Sequence, residues 1–428
     1  MLSNEKISTY KDILNEELRV AMGCTEPIAI AYASAIARDA LGAYPEEIKI
    51  SLSGNIIKNV KSVIVPSTGG MHGIESAVAA GVVSGRYDLK LELLSVLEQQ
   101  DVDTVEKYKR TCQISVEELV SPCNFDLSIE AGAAGNKAHV KITDYHTNVV
   151  AVFVNGCDVT EKYRNEREET GKSLKKADRS LLNVEDIVDF ADNADLEGIK
   201  DALIMQIEMN MAIASEGLRG DWGATIGKIL YDNGEAPLKD KLKGYAAAGS
   251  DARMSGCELP VCIISGSGNQ GITASVPIVV YAKENGISEE KMLRALVVSD
   301  LLTIHQKTGI GTLSAYCGAI SAGVGAGAGI CYMKGGGYHE IAHTLVNAVA
   351  ILSGTICDGA KPSCAAKIAM AVEAGIVGCD MALANKQFYG GDGIVTKGVE
   401  NTIRNVGLLA REGMSETDKE IIKIMLGK

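Results

Sequence analysis

Cys317, Cys357 and Cys364 lie in a C-terminal half rich in glycine and alanine. Their strings are Tyr316-Cys317-Gly318-Ala319 and Cys357-Asp358-Gly359-Ala360-Lys361-Pro362-Ser363-Cys364. Gly359 and Pro362 forbid a regular helix through the second string, so its two thiols can converge in a loop. Three thiolates on a four-iron cluster would leave one iron open for a substrate. The spacing is not a CxxC pattern, and free cysteines are commonly small buried hydrophobes. On the residues alone both readings stand. Cys112, Cys123, Cys157, Cys257, Cys262, Cys331 and Cys379 read as packing thiols. Cys24 stands apart, in Gly23-Cys24-Thr25-Glu26-Pro27. Pro27 suits the first turn of a helix reaching about Leu41, so Cys24 precedes a positive helix end, which lowers a thiol pKa.

Two glycine loops could hold an anion. Pro66-Ser67-Thr68-Gly69-Gly70-Met71-His72-Gly73 follows an apolar run and precedes an alanine-rich helix from about Ile74. A strand, a small polar loop and a helix make an anion site, but the lysine of a P-loop is missing, which disfavours nucleotide. Ser265-Gly266-Ser267-Gly268-Asn269-Gln270-Gly271 offers backbone N–H groups to a carboxylate or phosphate. Its glycine spacing and surroundings do not match a dinucleotide fold, and it also reads as a plain helix-linking loop. His305 and Lys361 could bind an acid group or move a proton, and His72 is a similar case. His339 and His343 share a helical face and read as structural.

The elements that must position these residues divide the chain of 428 residues. Residues 7–20 have helical periodicity. Ile48, Ile50 and Leu52 alternate as a strand, and a second strand ends at Val65. Residues 102–111 read as helix. Strands are expected at Asp126–Glu130, Ala138–Ile142 and Val149–Val154. The charged stretch 161–182 has no hydrophobic period and reads as an exposed insertion. From Val184 on, helices alternate with glycine-rich breaks, with no strand pattern after about 260–265. The expected fold class is α+β. An antiparallel-rich α/β substrate domain spans 46–182, an all-helical Gly/Ala-rich cluster domain spans 183–428, and N-terminal helices in 1–45 pack on the helical domain.

Composition bounds the partners. Aromatics are 4% while glycines number 46, which favours close backbone approach over aromatic cores. A net charge of -13 argues against nucleic acid or an anionic membrane, though not against a local positive pocket. An odd count of 11 irregularly spaced cysteines is no secreted disulfide framework. The first residues show no basic start followed by an apolar run, so a reducing cytoplasm is expected. Ile310–Met333 is long enough for a membrane span, but its glycines, Ser314, Ser321, Cys317 and Cys331 suit a buried helix of a soluble protein. The glycine-rich apolar helices would allow a homodimer.

Four strings together resemble a known family: Gly23–Pro27, Pro66–Gly70, Ser265–Gly271, and the block from Gly309 through Cys317 to Cys364. The chain resembles the iron–sulfur L-serine dehydratases, and more closely the L-cysteine desulfidase group, nearly end to end. The resemblance implies a 4Fe-4S cluster with an open iron, with Cys317, Cys357 and Cys364 as its ligands. It implies that Cys24 is a catalytic thiol. It also implies that Ser67, Thr68, Gly69, Gly70, Ser267, Asn269 and Gln270 hold a small amino-acid substrate. The first loop lacks the Ser-Ser-His-Thr run of the bacterial serine dehydratases, which weakens serine as substrate and favours cysteine or an unassigned relative. The expected activity is β-elimination from L-cysteine to pyruvate, ammonia and sulfide. Serine dehydration is the nearest alternative, and a non-catalytic cluster-binding or thiol-sensing protein is the alternative of another class. Cys24 is the first candidate for the base and His305 the second. No pyridoxal-phosphate lysine motif is apparent.

Overall fold

Tyr10, Ile13 and Leu14, spaced three and four apart, fold Asn4–Glu17 into helix α1, whose first turn Ser3 caps by accepting from the Lys6 amide. The computed structural model describes residues 2–22, 25–121, 123, 125–144, 146–164, 176–311 and 314–427. Cys24 and residues 165–175 of the charged stretch 161–182 therefore lie outside the described residues. After α1 come β1 (Arg19–Met22), α2 (Thr25–Leu41), β2 (Glu47–Leu52), α3 (Gly54–Val60), α4 (Ile74–Ser84) and α5 (Gln99–Thr111). Strands β3 (Gln113–Glu118), β4 (Asp126–Ala133), β5 (Asn136–Thr143), β6 (Val149–Val154) and β7 (Cys157–Asp158) follow.

The helical half comprises α6 (Val184–Asn193), α7 (Lys200–Arg219), α8 (Ile226–Tyr231), α9 (Leu238–Met254), the strand β8 (Pro260–Ile263), α10 (Gly268–Glu284) and α11 (Glu289–Ile310). It continues with α12 (Gly318–Met333), α13 (Tyr338–Leu352), α14 (Cys364–Leu383), α15 (Val399–Leu408) and α16 (Ser415–Leu426).

The main sheet has six strands in the order β3-β2-β4-β5-β6-β7. β2 and β3 are parallel and the other pairs antiparallel, so the sheet is mixed. The class is α+β, as the alternation of Ile48, Ile50 and Leu52 predicts. The second strand expected before Val65 is instead helix α3. Its buried residues Ile56, Ile57 and Val60 have a helical period, and Ser53 stands at its N-terminal cap. The helix expected over 7–20 stops at Glu17, and β1 pairs antiparallel with the distant β8.

Two large apolar cores form among the described residues. Tyr10, Ile13 and Leu14 of α1 join the core of the helical half. α2 parts from α1: its residues Ile28–Ala37 pack into the core under the main sheet. Among the described residues, no helix is long and apolar enough to cross a membrane.

Glycine sets the geometry of the helical half. A Cβ on Gly323 of α12 would stand 2.4 Å from the Ala371 carbonyl oxygen of α14, and one on Gly327 would stand 2.4 Å from that of Gly375. Advancing four residues along α12 also advances four along α14, so the two helices run parallel. Their first residues therefore lie at the same end.

Candidate functional site

That shared end carries the thiols. Cys317 is the N-terminal cap residue of α12, and Cys364 is the first residue of α14. Cys357 is brought beside Cys317 by two short extended segments. Tyr316 bridges Ile356, the Cys317 amide donates to the Thr355 carbonyl at 3.0 Å, and the Cys357 amide donates to that of Ala315 at 2.5 Å. Gly359, at φ +94°, lets the loop between Cys357 and Cys364 press onto α3: a Cβ there would stand 1.9 Å from the Lys58 carbonyl oxygen. The loop closes with the Cys364 thiol donating to the Gly359 carbonyl at 3.5 Å.

A neighbouring backbone N–H lowers the pKa of each of these thiols: that of Ala319 for Cys317, of Gly359 for Cys357 and of Lys361 for Cys364. Such donors favour thiolate, as do the positive starts of α12 and α14. Contact with Cys357, together with burial, pushes the Cys317 thiol up. The same contact holds Cys357 down against its burial, aided by the cations Lys58 and Lys367. Burial pushes Cys364 up.

Lysines surround the three thiols. Lys58, on α3, pairs with Asp418 of α16. Lys361 and Lys367 both pair with Asp358. Burial alone would raise Asp358, but these two ammonium groups hold it at about 2. Lys307, in the last turn of α11, donates to the Gly311 carbonyl at 2.8 Å; burial lowers its pKa, and the charges of Cys357 and Cys317 oppose this. Among the described residues, no three His, Cys, Asp or Glu side chains converge on a site for one metal ion. A single ion needs all its thiolates about 2.3 Å away. A polynuclear cluster binds each thiolate on a different iron, so three thiols from separate chain positions suit it as donors.

The second glycine loop borders the thiols. Ser267 caps α10, accepting from the Gln270 amide at 3.4 Å. The Gln270 side chain lies over Gly318, next to Cys317, where a Cβ would meet its Nε2 at 2.6 Å. Gln270 Oε1 is buried without a hydrogen-bond partner among the described residues. Asn269 Oδ1 accepts from Arg253 at 3.3 Å.

The first glycine loop is a tight turn: Ser67, Gly69 and Gly70 all have positive φ, and the buried Thr68 hydroxyl donates to the Val65 carbonyl at 2.8 Å. Gly69 rests on Val102 of α5, while Ile64 at the loop's base faces Gly256 beyond α9. No contact of this turn with the three thiols appears among the described residues.

At the start of α2, Thr25 Oγ1 and His146 Nε2 are 3.0 Å apart, and Glu26 accepts from Asn59 of α3 at 3.1 Å. Asn59 neighbours Lys58, so the Thr25–Glu26 corner and the cysteine loop both pack on α3. His305 is not brought to the thiols. Its Nε2 lies 2.7 Å from Glu400 of α15, whose other oxygen accepts from the Val184 amide. Lys307, two residues along α11, serves the thiol site instead, because such a step turns a side chain by about 200° around a helix.

Sequence reasoning missed Lys58, Lys307, His146 and Gln270's approach to Gly318. None stands in a recognisable motif, and only the fold brings them in.

The model of the serine dehydratase alpha chain matches residues 88–423, and the chain belongs to that family. It is 53% identical, over 98% of its own length and 97% of the relative's, to a UPF0597 protein of Desulfitobacterium hafniense. It is 44% identical to a UPF0597 protein of Treponema denticola, covering 99% of both chains. It is 46% identical to one of Finegoldia magna, covering 99% of this chain and all of the relative. Family membership fits a lyase that acts on a small amino acid.

Proposed function

We propose that the protein is a β-elimination lyase that converts L-cysteine and water to pyruvate, ammonia and sulfide, with a 4Fe-4S cluster held by Cys317, Cys357 and Cys364. One observation carries this reading: three thiols gather at the common start of two parallel helices, bordered by lysines. When bound, the cluster supplies a Lewis-acidic iron for the departing sulfur or oxygen. The preference for cysteine rests on the first loop, where Ser67-Thr68-Gly69-Gly70 stands in place of the Ser-Ser-His-Thr run.

The chain's own residues do the remaining work. Ser67, Thr68, Gly69 and Gly70 on one side, and Ser267, Asn269 and Gln270 on the other, hold the substrate's polar groups. Lys361 keeps the cysteine loop in shape through Asp358. Cys24, immediately ahead of α2 in sequence, is the first candidate to take the α-proton. His146 faces the same corner and replaces His305 as the second, since His305 is committed to Glu400. Burial lowers the His146 pKa, so the imidazole is neutral near pH 7 and able to accept a proton.

Anaerobic iron–sulfide reconstitution followed by pyruvate and sulfide assays tests the reading. Pyruvate and sulfide from cysteine support it. Pyruvate from serine alone makes the protein a serine dehydratase. A brown protein that turns over neither amino acid is a cluster-binding or thiol-sensing protein. Iron far below one cluster per chain ends the cluster assignment.

A further inference from the structure

Four lysines border the thiols, and three of them are spoken for. Lys58 has Asp418, and Lys361 and Lys367 share Asp358. Lys307 pairs with no carboxylate among the described residues. Its one hydrogen bond there goes to the Gly311 carbonyl, at the C-terminal end of its own helix. That bond uses one of three ammonium donors. A helix-end cap accounts for this bond but leaves two donors on a half-buried ammonium that feels the charges of Cys317 and Cys357. Beside the same Cys317, Gln270 presents a buried oxygen with no partner. A cation with spare donors and an orphaned acceptor, both bordering the thiol site, match the two ends of an α-amino acid.

The chemistry of elimination places those ends here. The leaving group sits on Cβ, and the carboxylate is joined to Cβ through Cα alone. A substrate whose sulfur or oxygen reaches the thiol site must therefore leave its carboxylate within a few bond lengths of it. We propose that Lys307 is the residue that binds the α-carboxylate of the substrate, with Gln270 Oε1 accepting from its ammonium group. This rests on the reading of the site as an amino-acid lyase, and assigns that site its charge-recognising residue.

The test is calorimetric binding to the anaerobic, iron-loaded protein, using two probes that lack a leaving group. L-Alanine keeps the carboxylate, and L-alaninamide replaces it with a neutral amide. A charge-assisted hydrogen bond is worth about ten- to a hundredfold in affinity. Wild type is expected to prefer L-alanine by that margin. Lys307→Met should bind both probes equally weakly, with iron content unchanged, and Lys307→Arg should restore part of the preference. Lys307→Gln replaces the Met variant if that one does not fold. A neutral variant that still prefers L-alanine overturns the role of Lys307 and leaves the lyase reading intact. A neutral variant that loses iron but keeps the preference shows a counter-ion to the thiolates, and also overturns it. Wild type that loads iron but binds neither probe removes the amino-acid site altogether.

Discussion

Gly375 of α14 lies so close to Gly323 of α12 that a Cβ on Gly375 would stand 2.2 Å from the Gly323 carbonyl oxygen. This contact is backbone against backbone, and no rotamer change relieves it. Gly375→Val must push the helices apart, at a cost of about 1–3 kcal/mol for overpacking. Because Cys317 and Cys364 head these two helices, the displacement reaches the thiols. Urea unfolding should show a lower midpoint, and the reconstituted variant should hold less iron per chain than wild type.

Removing a thiol should act on iron without acting on the fold. Cys357→Ala takes away the thiol between the two helix starts, yet removes little buried volume. Iron is expected to drop from about four per chain to near zero, with the far-ultraviolet circular dichroism unchanged. Cys157→Ala, at an exposed position in β7, should keep full iron. Equal iron in Cys357→Ala and wild type would remove Cys357 from the ligand set.

Asp300 gives the helical core a pH dependence. It is wholly buried on α11, accepts from Gln206 Nε2 at 3.0 Å, and burial pushes its pKa up to about 7. Its Oδ2 and Gln206 Oε1 both lack a donor among the described residues, as expected if the neutral acid bridges them. An acid raised on folding binds its proton more tightly in the native state. Its stabilising effect is therefore complete below the unfolded carboxyl pKa of about 4. It is lost as pH rises from there through 7, at roughly 1.4 kcal/mol per pH unit. Asp300→Asn can accept from and donate to Gln206 at every pH. Denaturant melts between pH 4.5 and 8 should show that downward slope in wild type and a flatter line in the variant. Equal slopes would contradict the neutral acid.

Much of the helical half was readable in the sequence. The glycines of α12 announced close helix contact, and Gly359 with Pro362 announced the loop carrying Cys357 and Cys364. β4, β5 and β6 followed from their alternation. What escaped depends on distance along the chain. β1 has four residues and is defined by pairing with β8, more than two hundred positions away. The run before Val65 is apolar enough for strand or helix, and burial against α2 and α16 selects the helix. Lys307 and Gln270 carry no local signature. Their meaning comes from which neighbouring groups have partners and which do not, and a single sequence does not record that.

His146 ties the start of α2 to the turn between β5 and β6, and it yields the sharpest kinetic expectation. Its ring lies 4.6 Å from that of Phe125 and meets the Thr25 hydroxyl. Burial lowers its pKa below the ordinary 6.5, while nearby Glu26 opposes this. A histidine kept neutral by folding stabilises the protein above pH 6.5, and that effect is lost as pH falls toward its native pKa. If the ring accepts a proton during turnover, the acid limb of kcat follows the same titration. His146→Gln can still hydrogen-bond Thr25 but cannot take a proton. Its kcat is expected to fall by about 10²-fold or more, the acid limb should vanish from the residual activity, and KM should change little. A purely structural imidazole would give a lower melting temperature with kcat and the acid limb both retained, and that result would return the proton to Cys24.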